Sequence, residues 1–265
     1  MMVNKETITK LATEGRRLDT RKLDEYRKPI KVEVGIYNKN AEGSARVQIG
    51  DTVVLAGVKL SIEKPYPDTF DQGGIMINAE LLPLSSPEYE SGPPGMKAVE
   101  LARVTDRGIR EAKAIDMKAL CIVPGEKVWF VAIDLITIND AGNLFDAASL
   151  AALAALKNTT LREFDPETGM VDYKSKTDKK LPILKEPLAV TVGKINGALI
   201  VDPTREEEEA FDARLTVAMD EKGTISALQK GGEMPLTVDE VGKIVDMAAD
   251  KGKLLRDALN NAEGA

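Results

Sequence analysis

The chain has 265 residues, 43% hydrophobic and 30% charged, with a net charge of −7, which describes a globular protein of one or two domains with ample core. It contains no histidine, which removes Ser-His-Asp and Cys-His nucleophile pairs and His-containing zinc sites together. Any chemistry must therefore use carboxylates, lysine, arginine or a hard metal ion, and the acidic balance argues against broad non-specific nucleic-acid binding while leaving local basic patches free to act.

The N-terminal stretch MMVNKETITKLATEG is polar and lacks an apolar signal core, and no apolar run reaches the ~18 residues of a membrane span, so a cytoplasmic protein with no membrane partner is expected. Residues 5–14 read as a short helix. In the next segment Ile30, Val32, Val34 and Ile36 alternate with Lys31 and Glu33, the pattern of a half-buried strand. Ser44–Ile49 and Thr52–Ser61 flank Gly50-Asp51 as a hairpin. A loop opens at Pro65-Tyr66-Pro67-Asp68, Ile75–Leu82 is a strand, and Ser85–Gly95 is a long loop. Met96 to about Ile115 is a helix, and Leu120–Val123 pairs with Val128–Ile138 across Pro124-Gly125. The single cysteine, Cys121, excludes a disulfide framework and reads as a core thiol.

Val128–Leu156 organises the rest. Its strand is apolar on both faces and so belongs in the centre of a sheet covered by helices. A turn with one glycine, Gly142, leads into an Ala/Leu helix from about Asp146 that must be buried. A strand, a glycine turn and a helix start often hold phosphate. This turn, however, has no Lys or Arg between Asn139 and Ser149 and carries two carboxylates, Asp140 and Asp146, with Asp146 expected to cap the helix. The helix end offers an anion about 0.5–2 kcal/mol, whereas each missing charge-assisted bond forfeits roughly 1.5–3 kcal/mol. Such a cradle holds phosphate poorly.

Leu161–Pro187 is rich in Lys, Asp, Pro and Thr without a period, which makes residues 161–187 a linker between domains at 1–160 and 188–265. Beyond it, Leu188–Val192 and Ala198–Val201 flank an Asn196-Gly197 turn, and Arg214–Met219 and Thr224–Gln229 flank Asp220–Gly223. Thr237–Glu240 is a capping box opening a helix to about Asn260, with Val241, Ile244, Val245, Ala248 and Leu255 inward. The pattern predicts an α+β protein of two αβ lobes, each a sheet packed on helices.

The element order and several motifs resemble the RNase PH family of phosphorolytic 3′-to-5′ exoribonucleases. The residues that carry the resemblance are GRRLDTRKLDEYR at 15–27, Gly43–Val47 with its hairpin, Glu100–Arg107, INDAGNLFDAA at 138–148 and VDPTREEEEAFDA at 201–213. Within the family the chain is most similar to the non-catalytic ring subunit of the archaeal exosome. The resemblance implies an RNase PH-like fold with a mixed sheet in each lobe. It further implies a hexamer in which three copies alternate with three catalytic RNase PH-type partners, RNA-binding cap proteins on one face, single-stranded RNA as ligand, and no cofactor. Active members carry a Gly-Thr-Arg or Gly-Ser-Arg turn that holds the attacking phosphate; the matching residues here are Gly142-Asn143-Leu144, with leucine in place of the cation. Active members also place two aspartates six apart; Asp202 matches the first and Glu208 stands at the second. The resemblance therefore implies no catalytic residue and no metal site.

Each candidate has a plainer reading. Asp202 before Pro203 suits a turn, and Glu206–Glu209 suits a solvated acidic face as well as a Mg²⁺ site. Arg103, Arg107 and Arg110 share one face of the 96–115 helix. They are either a surface paired with Glu100, Glu111 and Asp106, each pair worth about 0.3–0.5 kcal/mol, or, as the resemblance implies, the residues that face RNA beside the partner's active site. In that second role they contact phosphates without base specificity.

Overall fold

The computed structural model describes residues 5–37, 39–165, 168 and 170–263. In chain order the elements are α1 (Lys5–Thr13), β1 (Ile30–Val34), β2 (Gly43–Ile49), β3 (Thr52–Glu63), β4 (Gly74–Leu81), α2 (Met96–Glu111), β5 (Cys121–Val123), β6 (Lys127–Asn139), α3 (Leu144–Asn158), β7 (Thr160–Asp165), β8 (Met170–Lys180), β9 (Leu188–Ile195), β10 (Ala198–Val201), α4 (Arg205–Glu209), β11 (Ala213–Met219), β12 (Ile225–Gly232) and α5 (Val238–Glu263). A 3-10 turn, Pro67–Thr69, precedes β4.

The first sheet runs β1-β2-β3-β6-β4, with β5 pairing on β6. It is mixed, because α2 carries the chain back so that β4 and β6 lie parallel. The second sheet runs β10-β9-β11-β12 and is antiparallel throughout. Helix α3 lies between the two sheets, against β2 and β3 on one side and β9 on the other. Ala147, Ala148 and Leu150 through Leu156 are wholly buried, as a helix apolar on every side requires. The small side chains allow close approach: a Cβ on Gly43 of β2 would fall 2.4 Å from the Ala155 carbonyl. The core is consequently continuous across both lobes, running from Val47 and Ile133 through Leu153 to Val192 and Leu255.

Three expectations change at this level. Strand β6 is central, but its faces differ: Trp129, Val131, Ile133 and Leu135 are buried in the core, whereas Phe130, Ala132 and Ile136 on the other face are half-buried. Cys121 is half-buried at a sheet edge rather than in the core. The stretch read as an aperiodic linker contains the β7–β8 hairpin, stapled to the first sheet where buried Glu42 accepts from Arg162 at 3.1 Å. Among the described residues no helix is long and apolar enough to cross a membrane.

Candidate functional site

The turn after β6 meets the Val201–Arg205 corner of the second lobe. Gly142 has φ +97°, and a Cβ there would fall 2.5 Å from the Pro203 carbonyl, so only glycine admits this approach. Asn143, in the left-handed region at φ 60°, is the residue before the first turn of α3. Asp146 is therefore not the cap. It sits within the first turn, fully buried, accepting from the Tyr26 hydroxyl at 2.5 Å, the Thr191 N–H at 2.7 Å and the Asn143 Nδ2 at 3.0 Å. Burial pushes its carboxyl up to about 7 in spite of those three donors, with the Asp202 charge adding to the rise. Asp140 fulfils the turn role, accepting the Gly142 N–H at 3.0 Å and the Tyr89 hydroxyl at 2.5 Å.

The backbone amide of Asn143, which an anion at this helix start would seek, donates to Glu208 Oε1 at 2.8 Å. Burial pushes the Glu208 carboxyl up to about 7, opposed by that N–H and by the charges of Arg27 and Arg214 and reinforced by Asp140. The four-glutamate run is thus not one solvated face. Glu206 and Glu209 are exposed, Glu207 is buried in an ion pair with Arg17 at 2.5 Å, and Glu208 is turned onto α3.

Asp202 is fully buried, and its carboxylate is saturated. It accepts from Arg21 Nη1 at 3.0 Å, from the Arg27 N–H at 2.6 Å, Nε at 3.0 Å and Nη2 at 2.9 Å, and from Asn143 Nδ2 at 2.8 Å. Arg27 also donates to the carbonyls of Ala141 and Gly142, at 2.5 and 2.9 Å. The first-lobe turn and the second-lobe corner are joined through this one guanidinium.

Next to the turn lies a cavity of about 380 Å³, lined in part by Leu144, Phe145, Tyr89, Arg205, Arg214 and Glu208. Its two arginines are held by the surrounding acids, although Arg214 Nη1 is buried without a hydrogen-bond partner. Arg205 pairs with Glu88 and donates to Ser86 at 2.5 Å, while Arg214 pairs with Glu100 at 2.6 Å and stacks on Phe145. Among the described residues no cluster of three or more Asp, Glu or Cys is arranged to hold a metal ion.

Arg103, Arg107 and Arg110 are all exposed on α2, whose opposite face buries Ala98, Leu101, Ala102, Thr105, Gly108 and Ile109. Of the three ion pairs expected on the helix surface, one forms: Asp106 grips Arg110 at 2.7 and 3.1 Å. Glu100 turns away to Arg214, and Arg107 donates to Gln229 of β12 at 2.8 Å. Among the described residues the Arg103 side chain has no hydrogen bond or ion pair. The residues that sequence reasoning missed are Arg17, Arg21 and Arg27, which hold Asp202 and Glu207 from more than 170 positions away; the arginine-rich segment 15–27 was visible, but nothing in its spacing points to its partners.

The two lobes share one buried helix, with a glycine turn at its start, and this architecture is that of a 3′ exoribonuclease fold. Models of the 3′ exoribonuclease family match residues 26–162 (domain 1) and 185–251 (domain 2), and the chain belongs to this RNase PH family. It is 46% identical over 261 residues to exosome complex component Rrp42 of Methanocella arvoryzae, covering 98% of this chain and 97% of that one. Its fold matches a chain in the structure of the Archaeoglobus fulgidus exosome with RNA bound to the active site, with a TM-score of 0.87, 40% identity and 96% coverage of both chains. A chain of an archaeal exosome core matches with a TM-score of 0.84 at 37% identity, covering 97% of this chain and 96% of that chain.

Proposed function

We propose that this chain is a catalytically silent, RNA-binding ring subunit of an exosome of the archaeal type, acting in the cytoplasm. In this reading three copies alternate with three catalytic RNase PH-type subunits, and RNA-binding proteins cap one face of the ring. The chain completes its neighbour's active site and guides single-stranded RNA to it through Arg103, Arg107 and Arg110.

The observation that carries the reading is the anion seat occupied from within. At the start of α3 the Asn143 amide is bonded to the chain's own Glu208, and the turn presents Leu144 rather than a cation. An attacking phosphate would have to displace a carboxylate and then rest among Asp140 and Asp146. The acidic residues of the alternative reading, an active nuclease using Asp202 and Glu208 with Mg²⁺, are spent: Asp202 by two arginines, Glu208 by the helix amide. Relatives over nearly the whole chain that are named exosome components supply the ring context.

The test is phosphorolysis by the isolated chain. Incubated with RNA, inorganic phosphate and Mg²⁺ it is expected to release no nucleoside diphosphate, and co-expression with a catalytic ring subunit is expected to give a hexamer far more active than that partner alone. Nucleoside diphosphates from the isolated chain would overturn the reading.

A further inference from the structure

Chain geometry next to the arginine face points to a second kind of RNA contact. Exposed aromatic rings are few, because burying one is strongly favoured over leaving it in water. Yet Tyr66 and Phe70, five residues from end to end, are 63% and 55% exposed. They are also held rigidly. Pro65 and Pro67 flank Tyr66, which is extended at φ −66° and ψ 146° and precedes the 3-10 turn Pro67–Thr69. The Thr69 N–H donates to the Tyr66 carbonyl at 3.1 Å, and the Gly125 N–H donates to the Phe70 carbonyl at 2.7 Å, tying the turn to the β5–β6 hairpin. Two rings on a braced turn present flat surfaces at little cost in ordering.

This turn adjoins α2. The chain passes from Phe70 into β4, which packs on α2, and Arg110 Nη2 donates to the Ile75 carbonyl at 2.9 Å. Bonds to Asp106 foremost raise the Arg110 guanidinium above its usual range, against partial burial, and Tyr66 lies within its electrostatic reach. We propose that Tyr66 and Phe70 are a base-stacking platform continuing the arginine face, so that single-stranded RNA lays bases on the rings while its phosphates pass Arg107 and Arg110. Arginines grip phosphates through charge; aromatic rings grip bases through stacking that is largely indifferent to sequence. The inference rests on the RNA-binding role proposed above.

The experiment uses the ring assembled with its catalytic partner and two probes, oligoadenylate and an abasic ribose-phosphate strand of the same length. Tyr66→Ala with Phe70→Ala is expected to weaken oligoadenylate binding by roughly 5- to 100-fold, leave the slope of log affinity against log salt unchanged, and leave abasic-strand binding unchanged. Tyr66→Phe with Phe70→Tyr is expected to restore affinity. Arg103→Glu with Arg107→Glu should instead flatten the salt slope with both probes. If the arginine variant behaves so while the alanine pair binds oligoadenylate like the parent, the platform is wrong and the RNA face stands. If neither variant changes binding, both readings fall. Loss of ring assembly in the alanine pair would make the rings a subunit contact and overturn the platform.

Discussion

Glu208 accepts the backbone N–H of Asn143 at 2.8 Å, so the second lobe places a carboxylate where the helix start of the first lobe would receive an anion. Two things therefore stand against phosphate here, a missing cation and an occupied amide, and each can be reversed. Leu144→Arg with Glu208→Ala is expected to bind inorganic phosphate about 10- to 100-fold more tightly than the parent, as one charge-assisted bond of roughly 1.5–3 kcal/mol requires. Isothermal titration with phosphate checks this, and saturable binding by the unaltered chain at the same concentrations would contradict it.

With no histidine in the sequence, few groups titrate between pH 5 and 8. Asp146 and Glu208 do, both pushed up to about 7 by burial. The folded protein then holds protons that the unfolded chain has already released above the ordinary carboxylate range. Stability should fall as pH rises from about 5 through 7 and level off above it. Urea midpoints across this range measure the slope, and Asp146→Asn should make it shallower. A midpoint rising from pH 5 to 8 would show that other groups dominate.

Asp202 is expected to be a structural pin. Asp202→Ala strips the shared acceptor from Arg21 and Arg27, which are themselves largely buried, and should cost about 3–5 kcal/mol of unfolding free energy. Asp202→Asn, which keeps the shape and one acceptor oxygen, should cost less. A near-neutral alanine variant in chemical denaturation would rule out the pin.

Arg103 and Arg107 offer the cleanest charge test, since the Arg103 side chain has no partner among the described residues and that of Arg107 has only Gln229. Arg103→Glu with Arg107→Glu in the assembled ring should lower RNA affinity on every sequence and reduce the salt slope by roughly 1–2, with the ring intact by light scattering. Affinity lost on one sequence alone would contradict phosphate contacts.

The organising strand, turn and helix at 128–156 were readable because an apolar run and an Ala/Leu helix leave little freedom in where they lie. The capping box at Thr237 was equally local, and its two bonds form at 2.8 and 3.2 Å. The site was legible only as a lack. That Leu144 replaces a cation is plain from the sequence; that Glu208 fills the gap is not, because 65 residues separate it from Asn143 and its own neighbours are all acidic. Asp146 misled for a related reason: cap preference is a local rule, and here a buried tyrosine hydroxyl 120 positions away claims the carboxylate. The β7–β8 hairpin escaped notice because its second strand is apolar only near its start and polar from Lys174 onward, which gives no sustained alternation.

Helix α3 has one sheet on each side, and this fixes how the molecule can be divided. A fragment ending near residue 160 would keep the helix but strip away β9 and the α5 wall, wetting a surface of alanine and leucine and leaving Asp146 and Ser149 without the β9 amides they accept from. A fragment beginning after it would lose the ridge on which its own sheet rests. Neither half is expected to fold as an independent module, whereas the two severed pieces mixed together are expected to reassemble around the shared helix.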